Sequence, residues 1–280
     1  PPRARRCGYL VPGYALFPHL TVRQNLFFAL KHRPRLERHR RVNETLERSR
    51  LSECALRRPH ELDPAERQRL AVARAMIGEP RVLLVDEPAA GFEPPLRADF
   101  HALLRRVRGE YEIPVLVATR NLQECFELGD TALVLRAGRI LQSGAPRTLA
   151  ERPASLEVAR LLGIFNLLPV EIAELDPQRN SSRARWGEHV LAGPYYPGKF
   201  RGDKVWLCVR PDQLRLLPRQ GKSGPNQVPL ELLRTVELPH SVRLEFASEV
   251  VVELSRGEFE RQKQAREWLV EFPPQAFRAL

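Results

Sequence analysis

The sequence predicts an α/β domain with a parallel sheet followed by a smaller all-β domain, and three observations carry that prediction. Residues 66–88, ERQRLAVARAMIGEPRVLLVDEP, run an arginine-rich helical segment into an apolar strand that ends in two adjacent carboxylates. Helical and strand-like segments then alternate as far as Arg136. Beyond Asn166 the pattern changes to short apolar runs separated by turn residues such as Pro197-Gly198 and Gly224-Pro225-Asn226, as in a small barrel or sandwich.

Taken in order, Thr21 caps a helix over Val22–His32, and a second helix covers Leu36–Arg50. Leu70, Ala71, Ala73 and Ala75 alternate with Arg69 and Arg74 at helical spacing, which predicts a third helix over Pro64–Ile77. Glu79-Pro80 closes that segment, because the residue before a proline is pushed out of the helical region. Val82-Leu83-Leu84-Val85 is a continuous aliphatic run, the mark of a strand buried on both faces. Pro94–Tyr111 reads as a helix, Pro114–Thr119 as a buried strand, Leu122–Leu128 as a short helix and Thr131–Arg136 as a further strand. This βαβ rhythm argues a parallel sheet. Pro146–Leu162 reads as a helical linker. Strands are then predicted over Leu168–Ile172, Lys204–Arg210, Gln213–Leu217, Val228–Glu237, Ser241–Phe246 and Glu249–Leu254.

Asp86 and Glu87 leave the C-terminal end of the aliphatic strand, where ligands bind in open α/β sheets. One carboxylate there can hold Mg²⁺, and the next can orient or deprotonate an attacking water. Alone, an acidic strand end more often just turns the chain; the RQRLAVARA helix upstream reverses that reading. With Gly8–Val22 (GYLVPGYALFPHLTV), Leu62–Ala73 and Leu133–Gly144 (LVLRAGRILQSG), residues 8 to about 150 resemble the ATP-binding subunit of an ABC transporter of the importer type. The resemblance implies a P-loop NTPase-like ABC ATPase fold, ATP and Mg²⁺ as cofactors, Asp86 as the magnesium ligand and Glu87 as the catalytic base. Gly8–Val22 matches the segment that follows the Q-loop and faces the membrane subunits, and Leu133–Gly144 the strand pair that closes the domain.

Several positions depart from the family pattern. No Walker A loop precedes Cys7, so the expectation is a domain lacking its N-terminal part. The Q-loop glutamine corresponds to Pro12, which has neither a side-chain carbonyl nor an N–H. The signature sequence corresponds to Asp63, Pro64, Ala65 and Glu66 after Leu62; Asp63 would set a negative charge against phosphate, and Pro64 removes a donor. Glu93 stands at the D-loop aspartate. Arg120 stands at the switch histidine, where it can contact phosphate but cannot shuttle a proton. Only Asp86 and Glu87 match, so impaired ATP binding and hydrolysis are expected.

The C-terminal part resembles the TOBE regulatory domain of importers for molybdate, sulfate, iron, polyamines or sugars. Asn166-Leu167-Leu168-Pro169 and Val209-Arg210-Pro211-Asp212 carry that likeness, which implies an OB-like β barrel. A strand-end turn held by Arg210 with no ligand explains the second motif equally well, and an oxyanion site there is the weaker expectation. Gly193–Lys199 has the spacing of a P-loop, but Phe200 stands where Ser or Thr should follow and no helix comes after it.

The 280 residues suffice for two domains, expected as a partial ABC ATPase domain over 1–150 (helical subdomain about 20–78), a linker over 151–165 and a TOBE-like domain over 166–280. No apolar run approaches a membrane span, so a cytoplasmic protein, peripheral on the inner membrane face, is expected. Cys7, Cys54, Cys125 and Cys208 lack metal spacing. The net charge of +11 invites a nucleic-acid reading, but the basic residues are spread along the chain and no aromatic stacking pattern accompanies them, so no nucleic acid is expected. Two function classes remain: an energy-coupling subunit, and a non-catalytic scaffold or truncated product that docks on transporter subunits. Either would meet a membrane permease through Tyr14–Val22, chiefly Leu16, Phe17, Pro18 and His19, and form a homodimer or a heterodimer with a paralogous ATPase through the C-terminal domain.

Overall fold

In this computed structural model, which describes residues 5–218, 224–262 and 268–280, the chain divides into two units that meet at Asp130 and Thr131. In the first unit β1 (Cys7–Leu10), β2 (Val82–Asp86) and β3 (Val115–Ala118) form a parallel sheet in that order. Leu83 pairs with both Gly8 and Val115. Five helices accompany the sheet: α1 (Val22–Ala29), α2 (Arg35–Arg48), α3 (Pro64–Met76), α4 (Pro94–Tyr111) and α5 (Leu122–Leu128).

The helix α3 joins the two cores of this unit. Leu70 and Ala73 pack with Val22, Leu26 and Leu46 of α1 and α2. Ala71 and Met76 pack with Leu10, Leu83, Phe100 and Leu104 of the sheet and α4. Alternate sides of one helix thus serve two clusters, which is why its apolar stripe is so wide. Its approach to β1 is close: a Cβ on Gly8 would lie 2.8 Å from the carbonyl oxygen of Ala75, so this position needs glycine.

The helix expected over Val22–His32 stops at Ala29. Arg33 precedes Pro34 and is kept out of the helical region, so the chain leaves early through a turn in which Arg33 N–H donates to Leu30 at 2.8 Å.

The second unit opens with β4 (Ala132–Arg136) and β5 (Arg139–Gly144), an antiparallel pair. Both turn residues, Ala137 and Gly138, have positive φ (46° and 75°), the geometry of a tight hairpin. The hairpin gives β4 its neighbour, so it does not extend the parallel sheet as its βαβ spacing predicts. The expected helical linker is two short helices, α6 (Pro146–Glu151) and α7 (Leu156–Leu162), because Pro153 forbids a continuous helix.

Among the described residues eleven strands follow, β6 (Asn166–Asp176), β7 (Ser181–Trp186), β8 (His189–Gly193), β9 (Lys204–Val209), β10 (Arg215–Pro218), β11 (Gln227–Pro229), β12 (Leu232–Glu237), β13 (Ser241–Phe246), β14 (Val250–Ser255), β15 (Trp268–Glu271) and β16 (Arg278–Ala279), with α8 (Arg256–Gln262) before β15. They form three antiparallel sheets, β16-β9-β6-β7-β8, β10-β15-β11 and β12-β13-β14. Among the described residues no hydrogen-bonded ring closes into the expected barrel. One core fills the space between the sheets, with Leu168, Ile172, Leu207, Leu244, Val252 and Phe272 among its most buried members. The single strand expected over Val228–Glu237 is two strands in different sheets: Pro229 has no N–H to continue a ladder, and the chain changes partner there.

Two buried asparagines tie this unit together. Asn166 donates from Nδ2 to the Val251 carbonyl at 2.8 Å and accepts from the Val251 N–H at 2.7 Å. Asn226 joins Ala192 and Phe272 by three hydrogen bonds of 2.7–2.8 Å. Gly193–Lys199 holds no phosphate cradle: Gly193 ends β8, Tyr196 is buried in the core and no helix follows.

Candidate functional site

Parallel strands place their C-terminal ends on one edge of the sheet, and four side chains meet on that edge in the first unit. Asp86, the last residue of β2, is half-buried and accepts a hydrogen bond from Tyr9 Oη at 3.2 Å. Desolvation, followed by the hydrogen bond to Asp86 and then its charge, raises the Tyr9 hydroxyl above its ordinary value. Glu87 has φ +45°, a left-handed conformation that costs a non-glycine residue on the order of 1 kcal/mol. Its N–H donates to the Ala118 carbonyl at 2.8 Å, which anchors the turn to the end of β3. Its carboxylate accepts from Arg120 Nε at 2.9 Å.

The structure therefore joins Glu87 to Arg120, two positions singled out separately in the sequence. Arg120 is 89% exposed and Glu87 25%. The Arg120 guanidinium occupies one oxygen of Glu87, and arginine itself does not release its proton. Tyr9 is the member of the cluster that the sequence reading missed. Its position one residue before the end of β1, in register with Leu84 of β2, is the signal that marks it.

The segment 63–66 is built differently. Asp63 is the N-cap of α3, and its Oδ1 accepts from the Glu66 N–H at 2.6 Å. Glu66 Oε2 reaches back to the Asp63 N–H at 2.9 Å, completing a capping box. Pro64 occupies the first helical turn, where its missing N–H costs nothing. A helix N-terminus binds phosphate through free amides, and here one amide is taken by Asp63 and another is absent. These residues do not fit a phosphate. Among the described residues, no hydrogen bond or ion pair links 63–66 to Glu87. Pro12 is exposed in the turn after β1, and Glu93 is the exposed N-cap of α4 without a side-chain capping bond.

The oxygen donors at the β2 end are of the kind that could hold a hard cation such as Mg²⁺, Asp86 being the residue placed to do so. No cluster of three or more His, Cys, Asp or Glu side chains able to hold a metal occurs among the described residues, so a cation at Asp86 would take its other ligands from water or a bound phosphate.

The Tyr14–Val22 segment is more enclosed than an open groove. Tyr14 packs against Phe92 and Phe100, and burial pushes its hydroxyl up to about 12. Arg74 donates to the Tyr14 and Ala15 carbonyls, both at 2.8 Å. The fully buried Asn25 accepts from Phe17 N–H and donates to the carbonyls of Phe17, Leu20 and Thr21. Leu16 and Phe17 are half-buried, whereas Pro18 and His19 are exposed. Phe17 meets Phe28 in a tilted contact with ring centroids 4.5 Å apart, and Phe28 is 44% exposed.

In the second unit Arg210 binds Asp212 through Nε at 2.9 Å and Nη2 at 2.5 Å, closing its own turn. This is the structural reading of the Val209–Asp212 motif.

Residues 2–90 match the ABC transporter family. The spermidine/putrescine import ATP-binding protein PotA of Nitratidesulfovibrio vulgaris is 34% identical over 235 residues, covering 81% of this chain and 62% of that protein. The protein of the same name from Rubrobacter xylanophilus is 34% identical over 248 residues, covering 87% and 64%. That of Thermotoga maritima is 32% identical over 234 residues, covering 80% and 61%. The chain thus spans somewhat under two thirds of the length of these relatives. Residues 2–90 thus belong to the ABC transporter family, and over about four fifths of its length the chain is similar to the ATP-binding subunits of ABC importers.

Proposed function

We propose that this chain serves as the ATP-binding, energy-coupling subunit of an importer for small polyamines, with a nucleotide site weakened by its own substitutions. The observation that carries the reading is the pair Asp86 and Glu87 at the carboxyl edge of the parallel sheet, as magnesium ligand and base. The polyamine substrate rests on the names of the relatives. The weakening rests on the capping box that uses the Asp63 and Glu66 amides, on the missing N–H of Pro64 and on the Arg120 side chain bonded to Glu87. Removing one preorganised charge-stabilising donor costs about 10²–10³ in rate in well-studied enzymes. We expect neither tight ATP binding nor turnover by the purified chain. Magnesium-dependent hydrolysis abolished by Glu87→Gln would overturn the impairment and leave the subunit assignment standing.

In the same proposal, 1–150 is the ATPase-like portion, 151–165 a linker and 166–280 a TOBE-like regulatory domain through which two copies, or this chain and an intact paralogue, pair. The chain works at the inner membrane face, meeting the permease through Pro18, His19 and the neighbouring Phe28. Loss of permease capture in Phe28→Asp or His19→Asp, with folding retained, tests that contact; unchanged capture removes it. The core of the C-terminal part runs from Leu168 to Phe277, so residues 166–280 expressed alone should give a folded β spectrum by circular dichroism. An unfolded spectrum would overturn the boundary. A second reading, a non-catalytic docking relative, is favoured by the same capping box, since a helix start spent on its own stability needs no nucleotide. ATP binding by a complex with an intact paralogue, lost on Asp86→Asn in this chain, would exclude it.

A further inference from the structure

The C-terminal end of α2, the middle of α3 and the last turns of α4 surround a cavity of about 150 Å³. Four guanidinium side chains line it, from Arg48, Arg50, Arg69 and Arg106, against one carboxylate, Glu110. Two of the four are already engaged. Arg106 Nε donates to Glu110 Oε1 at 2.5 Å, and Arg48 Nη1 donates to Tyr111 Oη at 3.0 Å. Arg48 also lies in the last turn of α2, where a cation complements the partial negative charge of the helix end.

Neither explanation covers Arg69 and Arg50. Arg69 sits in the body of α3, and its Nε is enclosed without a hydrogen-bond partner. Arg50, just past α2, is exposed and makes no side-chain hydrogen bond or ion pair among the described residues. Buried donors are almost always paired, and an unpaired one marks a place for an absent acceptor. Guanidinium is also the side chain best shaped to bind carboxylate or phosphate through two parallel hydrogen bonds. The hydroxyls of Thr45, Ser49 and Tyr111 also line it, and its floor is apolar, with Met76 of α3 and Val107 of α4 both buried there. Charged donors beside an apolar floor suit an anion that carries a hydrocarbon stem.

We infer that this cavity binds a small organic oxyanion, headed by phosphate or carboxylate, with Arg69 and Arg50 holding the head and the Met76–Val107 floor taking a short apolar stem. The site is separate from the Asp86–Glu87 edge and from the capped start of α3. It ties α2, α3 and α4 to one ligand, so its occupancy would stiffen the packing of the helices against one another.

Isothermal calorimetry on the full chain tests this, with butyl phosphate and butyrate as probes and inorganic phosphate and 1-butanol as partial probes. The expected result is one saturable site for butyl phosphate or butyrate, weakened at least tenfold by Arg69→Gln and several-fold by Arg50→Gln, and weakened by added salt. Arg50 is exposed, so its variant keeps the test valid even if Arg69→Gln disturbs folding. No saturable binding of either organic anion would overturn the inference. So would binding that both variants leave unchanged. Equal binding of 1-butanol would show an apolar hole without an anion site, and equal binding of inorganic phosphate would show that the stem plays no part; either result overturns it.

Discussion

The end of β2 and the start of α3 each present an aspartate and a glutamate, and the spacing of the pair decides what it does. At β2 the two are adjacent, at the edge of a parallel sheet. Asp86 takes one weak hydrogen bond from Tyr9 and Glu87 takes one from an exposed arginine, so each keeps most of its accepting capacity for something else. At α3 the two are three residues apart across a helical turn, and one oxygen of each is tied to the other's backbone N–H, which fixes both carboxylates to the helix start. The same side chains are available for chemistry in one place and spent on folding in the other. A family resemblance alone, matching both segments by position, treats the two alike.

The contrast can be broken or sharpened by mutation. The largest effect is expected in the support of the β2 end. Leu83, fully buried within that strand, should cost about 2–5 kcal/mol when changed to alanine, read from the urea midpoint. A loss below 1 kcal/mol, against that range, would mean that the sheet does not hold the carboxylates in place. Next comes the cap: Asp63→Ala should cost ~1 kcal/mol, and Asp63→Ser, which can cap in the same way, should cost much less. An unchanged midpoint in Asp63→Ala would return that residue to a role outside folding.

A third effect depends on pH. His101 is buried between two carboxylates, with Nδ1 2.5 Å from Glu127 and Nε2 3.3 Å from Glu124. The clip pins α5, the helix that begins just after Arg120, to α4. The hydrogen bond from His101 holds the Glu127 carboxyl below its ordinary value, and Gln123 adds to the effect. The folded state therefore binds fewer protons there than the unfolded chain. The stability this provides is complete above the ordinary carboxylate range and drains away as pH falls through the depressed value. Glu127→Gln should flatten the acid side of the stability–pH curve; an unaltered acid limb would count against the clip. The smallest change is expected from the pair that looks most functional. Arg120 is so exposed that Arg120→Gln should alter stability by at most about 0.5 kcal/mol, whether or not salt is added. A loss of several times that would make Arg120–Glu87 a structural pair rather than a catalytic one.

Much of the first unit was legible in the sequence. The helices at Pro94–Tyr111 and Leu122–Leu128 stand as their patterns predict, and α3 differs by one residue. Aliphatic runs, proline boundaries and capping residues act over a few positions, and a single sequence displays them. The Asp63–Glu66 capping box was legible too, as an acidic residue followed by glutamate three positions later before an apolar helix. Its match to a signature position drew the reading toward nucleotide chemistry. The hairpin of β7 and β8 was overlooked although Ser182, Ala184 and Trp186 alternate with Arg183 and Arg185, because arginines on the outer face lowered the apparent hydrophobicity of the strand.

The sequence by itself determined what depends on near neighbours: the parallel-sheet rhythm, the two carboxylates at a strand end, and a change to β structure after Asn166. Only the tertiary structure decided which partners those groups take. Glu87 meets Arg120 across 33 residues, Asn166 clamps Val251 across 85, and the sheet of each strand after Pro229 follows from packing around a shared core. Hydrogen bonds of this kind are fixed by where the backbone returns, and that is set by the sum of many weak burial terms rather than by any local pattern.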